Sequence, residues 1–237
     1  MQTPVQHPVG ISSSPKLLLT LAILGAYGAI EGVCRLVRVV PVWWKRLKGW
    51  WRSKTRDEEF YFVSRETGVF MDPDAKRFHY VRQEKVRAIK HVERIPISYR
   101  WSGTGTITPR VIPDCHILED SPRGVGQIST TKRLILHPPL EKSKEAEYYF
   151  ILDCEIGDRA PEPYVSSATS HRVDKLIIRA VFPYNQIPRR VFYIERDADG
   201  FERVKEELKL PDILTGEFRK QVLYAEPHIR YILQWES

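Results

Sequence analysis

Apolar residues recur at every second position through much of residues 60–236, and this alternation limits the fold more than any other feature of the chain. The pattern is unbroken in residues 94–101 (RIPISYRW), and it recurs in residues 147–157 (EYYFILDCEIG) and 229–236 (IRYILQWE). A period of two residues is typical of half-buried antiparallel strands with one solvated face. Because residues 57–237 contain no long amphipathic helix pattern, we predict an all-β domain.

About eight to ten strands are predicted, each bounded by turn-forming residues. Residues 189–204 (RRVFYIERDADGFERV) predict one hairpin with Asp199 and Gly200 in its loop. Val204 and Leu208 are four residues apart, which predicts one short helix at residues 204–210. Short strands and unequal loops favour an immunoglobulin-like antiparallel β-sandwich over a closed barrel. The predicted strands include residues 85–92, 106–112, 132–138, 148–156, 175–183, 189–197, 218–226 and 229–236.

The length of 237 residues accommodates one β-domain and an appendage, whereas two full domains would be cramped. A composition with 42% hydrophobic and 28% charged residues is typical of a chain that packs a core. We divide the chain into a flexible tail at residues 1–14, a transmembrane helix at 15–40, a basic, tryptophan-rich juxtamembrane segment at 41–56 and the β-sandwich domain at 57–237.

The predicted transmembrane helix rests on an apolar run in which residues 17–30 contain no charged side chain. A membrane span needs about 20 predominantly apolar residues, so the run is long enough only if it includes Glu31 and Arg35. These two residues and Arg38 are spaced three or four apart and share one helical face. We interpret Glu31, Arg35 and Arg38 as an intramembrane polar face near the C-terminal end of the helix.

Three other interpretations of the apolar run are weaker. A helix on the membrane surface fits residues 31–52, but residues 17–30 have no polar face to turn toward water. A core helix of a soluble domain leaves the neighbouring exposed tryptophans unexplained. A signal peptide is disfavoured because the positive charge follows the apolar residues instead of preceding them.

A cluster of tryptophan, lysine and arginine follows Pro41, where the helix is expected to end or kink. Tryptophan and basic side chains collect where a bilayer meets water. Because most cations follow the apolar run, the positive-inside rule places the N-terminus outside and the C-terminal domain in the cytoplasm. The predicted membrane-interface residues are Trp43, Trp44, Lys45, Arg46, Lys48, Trp50, Trp51 and Arg52.

The net charge of +7 is concentrated beside the apolar run. Residues 1–56 hold nine cations and one anion, Glu31, while residues 57–237 hold 28 cations and 29 anions and carry a net charge of −1. A nucleic-acid reader more often has a basic face on its folded domain. We therefore expect a bilayer with anionic headgroups as a partner and disfavour nucleic acid.

Residue types that carry chemistry are dispersed. Cys34, Cys115 and Cys154 are too few for a disulfide framework or a zinc knuckle, and the histidines lack HxH or HExxH spacing, so no metal or cofactor is predicted. Cys115 and His116 are adjacent, but neighbouring side chains on an extended chain point to opposite sides. No catalytic motif emerges, and no ligand-binding residue is identified.

The sequence therefore predicts a single-pass membrane protein whose cytoplasmic β-sandwich is a non-catalytic protein-binding or ligand-sensing module. A protein partner or a second copy of the chain is expected. Two alternatives remain open. In one, the β-domain binds a small anionic, nucleotide-like ligand and triggers helix self-association that disrupts the membrane. In the other, a hydrolase or transferase uses the loop at residues 114–131.

Overall fold

A computed structural model describes residues 58–74, 76–100, 102–120, 130–209 and 215–236 of the chain. These residues form thirteen strands and a 3-10 turn at Tyr184–Gln186, which confirms the predicted all-β class. The strands are β1 Phe60–Met71, β2 Arg77–Ala88, β3 Val92–Tyr99, β4 Gly105–Ile112, β5 Ile117–Asp120, β6 Thr130–Leu140, β7 Glu145–Ile156, β8 Tyr164–Ala168, β9 Val173–Val181, β10 Arg190–Arg196, β11 Glu202–Leu208, β12 Glu217–Ala225 and β13 Arg230–Glu236.

The strands form three sheets. A six-stranded sheet has the order β12-β9-β1-β2-β7-β4, a four-stranded sheet the order β11-β10-β13-β8, and a three-stranded sheet the order β3-β6-β5. The pairing of β1 with β9 is parallel, while the other pairings of the described strands are antiparallel. The alternation had predicted antiparallel strands, but a parallel pair needs only a long connection, and here the connection contains seven further strands.

One cluster of buried side chains draws residues from all three sheets. On β7, the buried positions 148, 150, 152 and 154 follow the predicted alternation. On β1, a bulge between Phe62 and Ser64 shifts the alternation by one residue. An extra residue on one strand changes which positions face the core, so Arg65 and Thr67 are buried beyond the bulge as Phe62 is before it. The bulge therefore carries an arginine into the core.

The helix predicted at residues 204–210 is wrong, because residues 202–208 form strand β11. This strand pairs along its whole length with β10, in the hairpin that was predicted around Gly200. Ion pairs of Arg190 with Glu207 (2.9 Å) and Arg196 with Glu202 (2.8 Å) join the two strands. Pairing with a neighbouring strand thus overrides the helical spacing of Val204 and Leu208.

Two segments in which the sequence shows no two-residue alternation, residues 114–131 and 157–171, contain short strands. Strand β5 lies within residues 114–131, and β8 lies within residues 157–171. The strand predicted at residues 85–92 is instead divided between β2 and β3. The chain turns there, and the amides of Ile89 and Lys90 donate to the carbonyl of Glu59 at 2.8 and 3.0 Å.

The tail, the spanning helix and the juxtamembrane segment predicted at residues 1–56 lie outside the described residues. In the part of the chain that is described, no helix has both the length and the apolar character that a membrane crossing requires. The predicted span at residues 15–40 therefore stays a prediction.

Candidate binding cleft

A cavity of about 280 Å³ lies where the inner face of the six-stranded sheet meets β8 and the end of β3. Its inner wall is apolar and comes from strands β1, β2 and β7 together with Trp235 of β13. Ligand sites of small molecules are typically clefts of roughly this size or larger, with a few polar groups on an apolar lining. The polar lining consists of Tyr80, Arg82, Ser98, Arg100, Ser102, Glu162, Tyr164, Ser166 and Arg230.

Arg82 is the most deeply placed cation of this cleft. The residue is only 8% exposed, because β2 carries it on the same face as the buried Phe78 and Val86. Its Nε and Nη2 atoms donate to the hydroxyl of Tyr80 at 3.2 and 2.9 Å, and Nη2 also donates to the carbonyl of Ser98 at 3.0 Å. No described residue accepts a hydrogen bond from Nη1. One edge of the guanidinium is therefore held, while Nη1 has no acceptor among the described residues.

The charges around Arg82 do not balance. Arg65 and Glu84 lie opposite each other on β1 and β2 and form an ion pair at 2.5 Å, between Arg65 Nε and Glu84 Oε1. The hydroxyl of Tyr148 on β7 donates to the other oxygen of Glu84. No carboxylate of a described residue forms an ion pair with Arg82. Among the described residues, this part of the core holds two guanidinium groups and one carboxylate, and Arg82 carries the positive charge that Glu84 does not balance.

The protonation states keep this excess charge in place. Burial alone lowers the pKa of Arg82, but Tyr80 and Glu84 outweigh burial and raise the pKa above its usual value. Burial and the charge of Glu84 raise the pKa of Tyr148 well above its usual value, so Tyr148 remains a neutral donor. Buried charges are normally paired because desolvation of an ion is costly. Burial of Arg82 without a carboxylate partner among the described residues is therefore unusual.

The mouth of the cleft carries two further cations and one anion. Arg100, Arg230 and Glu162 are exposed and lie around the half-buried Tyr164. Burial and the neighbouring Glu162, which accepts a hydrogen bond from the Tyr164 hydroxyl, raise the pKa of Tyr164, while Arg100 and Arg230 act in the opposite direction. With Arg82, three cations face one carboxylate, and the lining attracts negative charge.

Ser102 ties together the two loops that form the mouth. Its Oγ accepts a hydrogen bond from the backbone amide of Glu162 at 2.9 Å, and its carbonyl accepts one from the guanidinium of Arg159. Arg159 in turn holds Thr104, whose amide donates to the Arg159 carbonyl at 3.0 Å. The loop before β4 and the loop before β8 are thereby fixed to each other beside Arg100.

The structure does not describe the residues that were predicted to face the membrane. Two predicted sets lie outside the described residues: the interface residues between Trp43 and Arg52, and the polar face of Glu31, Arg35 and Arg38. The described residues also contain no group of three or more histidine, cysteine or acidic side chains suited to hold a metal ion. The cleft therefore joins residues that the sequence analysis did not assign to any site.

Cys115 and His116 approach each other more closely than expected, since residues 113–116 form a turn and not an extended segment. The Cys115 Sγ atom lies 3.6 Å from His116 Nδ1. However, Nδ1 accepts the backbone amide of His137 at 3.2 Å, and the thiol donates to the carbonyl of His137 at 3.2 Å. Burial and His137 also lower the pKa of His116. Because its Nδ1 lone pair is occupied, His116 is poorly placed to activate this thiol.

The comparisons with known proteins place the chain in no family. Neither a protein-family model nor a curated protein matches the sequence. Among solved structures, an M1 zinc metallopeptidase from Deinococcus radiodurans is 10% identical, with a TM-score of 0.39, and the match covers 75% of this chain and 42% of the other. A candidate protease from Parabacteroides distasonis is 9% identical, with a TM-score of 0.46, over 76% of this chain and 41% of the other.

The chain thus spans about two fifths of the length of these solved structures. Likenesses of this size define neither a family nor an activity, because one architecture serves many unrelated functions. What the described residues define is an all-β protein with a cleft whose cations outnumber its anions.

Proposed function

We propose that this protein is a membrane-tethered, non-catalytic binding module that takes an acidic ligand in the cleft around Arg82. The ligand combines a negatively charged group with an apolar part, since the inner wall is apolar and the polar lining is cationic. Binding of this kind fits the ligand-sensing function that the sequence predicts.

The observation that carries the proposal is the unpaired charge of Arg82. Arg65 forms an ion pair with Glu84, but no carboxylate of a described residue forms one with Arg82. The Arg82 guanidinium donates to the neutral oxygens of Tyr80 and Ser98 and lies over the rings of Tyr80 and Phe150. An acidic group at the unused Nη1 edge would supply the missing negative charge. A charge-assisted hydrogen bond of this type contributes more than a neutral one, about 1.5–3 kcal/mol.

A second candidate function is favoured by the aromatic side chains beside the arginines. Tyr80 and Tyr99 line the same cavity as Arg82. Aromatic faces stack on nucleobases while arginines bind phosphate. In this function, the ligand is a nucleotide-like messenger, and its binding promotes self-association of the N-terminal helices and disturbs the membrane. The polar face of Glu31, Arg35 and Arg38 would provide contacts between those helices.

The proposed arrangement of the chain combines a β-sandwich with a membrane helix. In it, the three sheets form an immunoglobulin-like sandwich around one shared core, and a single transmembrane helix at residues 15–40 precedes the sandwich. The helix holds the cleft in the cytoplasm, with residues 41–56 at the headgroups.

Carbonate extraction of membranes tests the tether. The full-length protein is expected to remain in the membrane pellet, and release into the supernatant would contradict the tether.

A thermal-shift panel on the full-length protein in detergent micelles tests the binding function. The panel contains inorganic phosphate, an aliphatic dicarboxylate, an aromatic carboxylate and purine and pyrimidine mononucleotides. A ligand that binds only the folded state raises the melting temperature as its concentration increases. We expect a shift with at least one compound that combines an acidic group with an apolar part.

The variant Arg100→Ser/Arg230→Ser removes the two cations at the mouth. It is expected to reduce the shift, because those side chains attract the anion. Arg219→Ser serves as the control, since Arg219 is exposed on β12 and does not line the cavity. If every compound shifts the double variant as strongly as the unaltered protein, the anion does not bind in this cleft.

A further inference from the structure

Strand β8 borders the cleft with a free backbone edge. It is the last strand of its sheet and pairs only with β13 among the described strands. Four of its five residues, Tyr164, Val165, Ser166 and Ala168, line the cavity. An edge strand of this kind presents unpaired amides and carbonyls to whatever lies beside it.

The pairing with β13 determines which backbone groups of β8 face the cleft. The amide of Trp235 donates to the carbonyl of Pro163 at 3.0 Å, so residue 163 points its carbonyl toward β13. Backbone direction alternates along an antiparallel strand. The backbone amides and carbonyls of residues 165 and 167 therefore also point toward β13. Those of residues 164, 166 and 168 point away from it.

Contacts at both ends of β8 agree with this assignment. The carbonyl of Ala168 accepts a hydrogen bond from Arg65 Nη1 at 3.3 Å, which comes from the six-stranded sheet and not from β13. The amide of Tyr164 donates to the carbonyl of Glu162 at 2.8 Å. Within the described residues, no backbone hydrogen bond uses the amide or the carbonyl of Ser166. Four edge groups therefore have no backbone partner among the described residues: the Tyr164 carbonyl, the amide and the carbonyl of Ser166, and the Ala168 amide.

We propose that the ligand of this cleft is an acidic peptide segment that pairs in extended conformation with the free edge of β8. This inference rests on the proposed function and names the chemical class of the ligand. The peptide backbone bonds to Ser166 and its neighbours, and one carboxylate side chain enters the cleft toward Arg82. Addition of a strand to an exposed sheet edge is a recurrent mode of peptide recognition, in which backbone bonds give affinity and pockets give specificity.

Charge and shape complementarity select an acidic peptide over other peptides. Three cations, Arg82, Arg100 and Arg230, line the cleft beside one anion, Glu162. The cavity of about 280 Å³ is roughly twice a cavity that holds benzene, so it accepts one large side chain and not a folded partner. In an extended peptide whose acidic and apolar residues alternate, the acidic side chains share one face, and this face can turn toward the cationic cleft.

The test uses N-methylated peptides and the full-length protein in detergent micelles. The probes are acetylated, amidated hexapeptides in which acidic and apolar residues alternate. Two isomers of the tightest binder carry N-methyl groups on either the odd or the even amides. Because only alternate amides of an added strand face β8, one isomer is expected to lose binding at least tenfold and the other to keep it. Hydrogen exchange at Ser166 and Ala168 is expected to slow with the unmethylated peptide.

The outcomes separate this inference from the proposed function. If both methylated isomers bind as tightly as the parent, or if only the small anions of the thermal-shift panel bind, strand addition is wrong while anion binding in the cleft stands. If the peptides bind equally well to Arg82→Met, the cleft is not the anion site, and the proposed function fails as well. If one methylated isomer loses binding and the parent peptide binds Arg82→Met more weakly, the result supports both strand addition and anion binding in the cleft.

Discussion

Arg65 and Glu84 face each other across neighbouring strands inside the core, and their side chains form an ion pair at 2.5 Å. The side chains are 6% and 1% exposed. Arg65 Nε and Glu84 Oε1 are in ion-pair contact, but their geometry is not that of a hydrogen bond. A buried pair of this type costs desolvation energy to form, but it is far more costly to break than to keep. Because Glu84 pairs with Arg65, Arg82 has no ion-pair partner among the described residues.

Removal of the Glu84 charge is expected to destabilise the protein strongly. Glu84→Gln leaves both Arg65 and Arg82 buried without a carboxylate, which predicts a loss of about 3–5 kcal/mol in the free energy of unfolding. Glu155→Gln is the matched control, since Glu155 pairs with Arg77 at 3.1 Å on the exposed surface. It should cost at most about 1 kcal/mol. Chemical denaturation measures both, and equal losses would contradict the buried pair.

Arg82→Met is expected to have the opposite effect on stability. The substitution replaces a buried cation that has no carboxylate partner among the described residues with an apolar side chain of similar length. It is expected to be neutral or stabilising, because burial of an ion without an opposite charge is costly. Denaturation of the ligand-free protein measures the change. A large loss of stability would mean that a negatively charged group of the protein already balances Arg82, and this would remove the main support for an anion site.

Two glycines with positive φ predict different costs for an added methyl group. Gly105 has φ +124°, and a Cβ there would lie 2.0 Å from the carbonyl oxygen of Glu155. Gly200 has φ +91° with no atom within 4 Å of the same position. Gly200→Ala is expected to cost about 1–2 kcal/mol from backbone strain alone. Gly105→Ala adds a steric clash between β4 and β7 and should cost clearly more in the same unfolding measurement.

The two described cysteines are expected to differ in reactivity. Burial, and then the charge of Asp153, raises the pKa of the Cys154 thiol to about 12, and the residue is 2% exposed. Cys115 is exposed. In a Cys34→Ser background at pH 8, a thiol reagent should modify Cys115 in the native protein and Cys154 only after denaturation. Equal rates would show that Cys154 is accessible through the cleft.

The same pKa shift predicts a loss of stability in alkali. The folded state keeps the Cys154 proton up to about pH 12, whereas the unfolded state releases it near pH 8.5. Between these two pH values the folded state holds a proton that the unfolded state has released, so the folded state loses stability as the pH rises. The free energy of unfolding should therefore fall above pH 9, and it should fall less steeply in Cys154→Ala. Parallel curves for the two proteins would contradict the shift.

Much of the strand content could be predicted from the sequence because a half-buried strand alternates. Strands β7 and β13 bury every second side chain, and both were predicted almost to their ends. Strand β11 has no such pattern, because six of its seven residues are exposed. It pairs with β10 along the backbone, and exposed ion pairs join the two strands across the hairpin. Strand β8 is only five residues long and obtains its conformation from β13.

The cleft could not be predicted because its cations are far apart in the sequence. Arg82, Arg100 and Arg230 meet only after three sheets have assembled around one core. One signal was nevertheless present. Arg82 and Glu84 occupy the same alternation as Phe78 and Val86, so the pattern itself places two charges at core positions. Charged residues in the apolar register of a strand indicate a buried ion network or a site.

The affinity of the acidic ligand for the full-length protein, compared between unaltered protein and Arg82→Met, tests the central claim most directly. Isothermal titration with the panel compound or peptide that gives the largest thermal shift should show a loss of at least tenfold in Arg82→Met, equivalent to about 1.4 kcal/mol. Arg219→Met should retain the original affinity. An unchanged dissociation constant in Arg82→Met, with the fold intact, would contradict the assignment of the cleft as the anion-binding site.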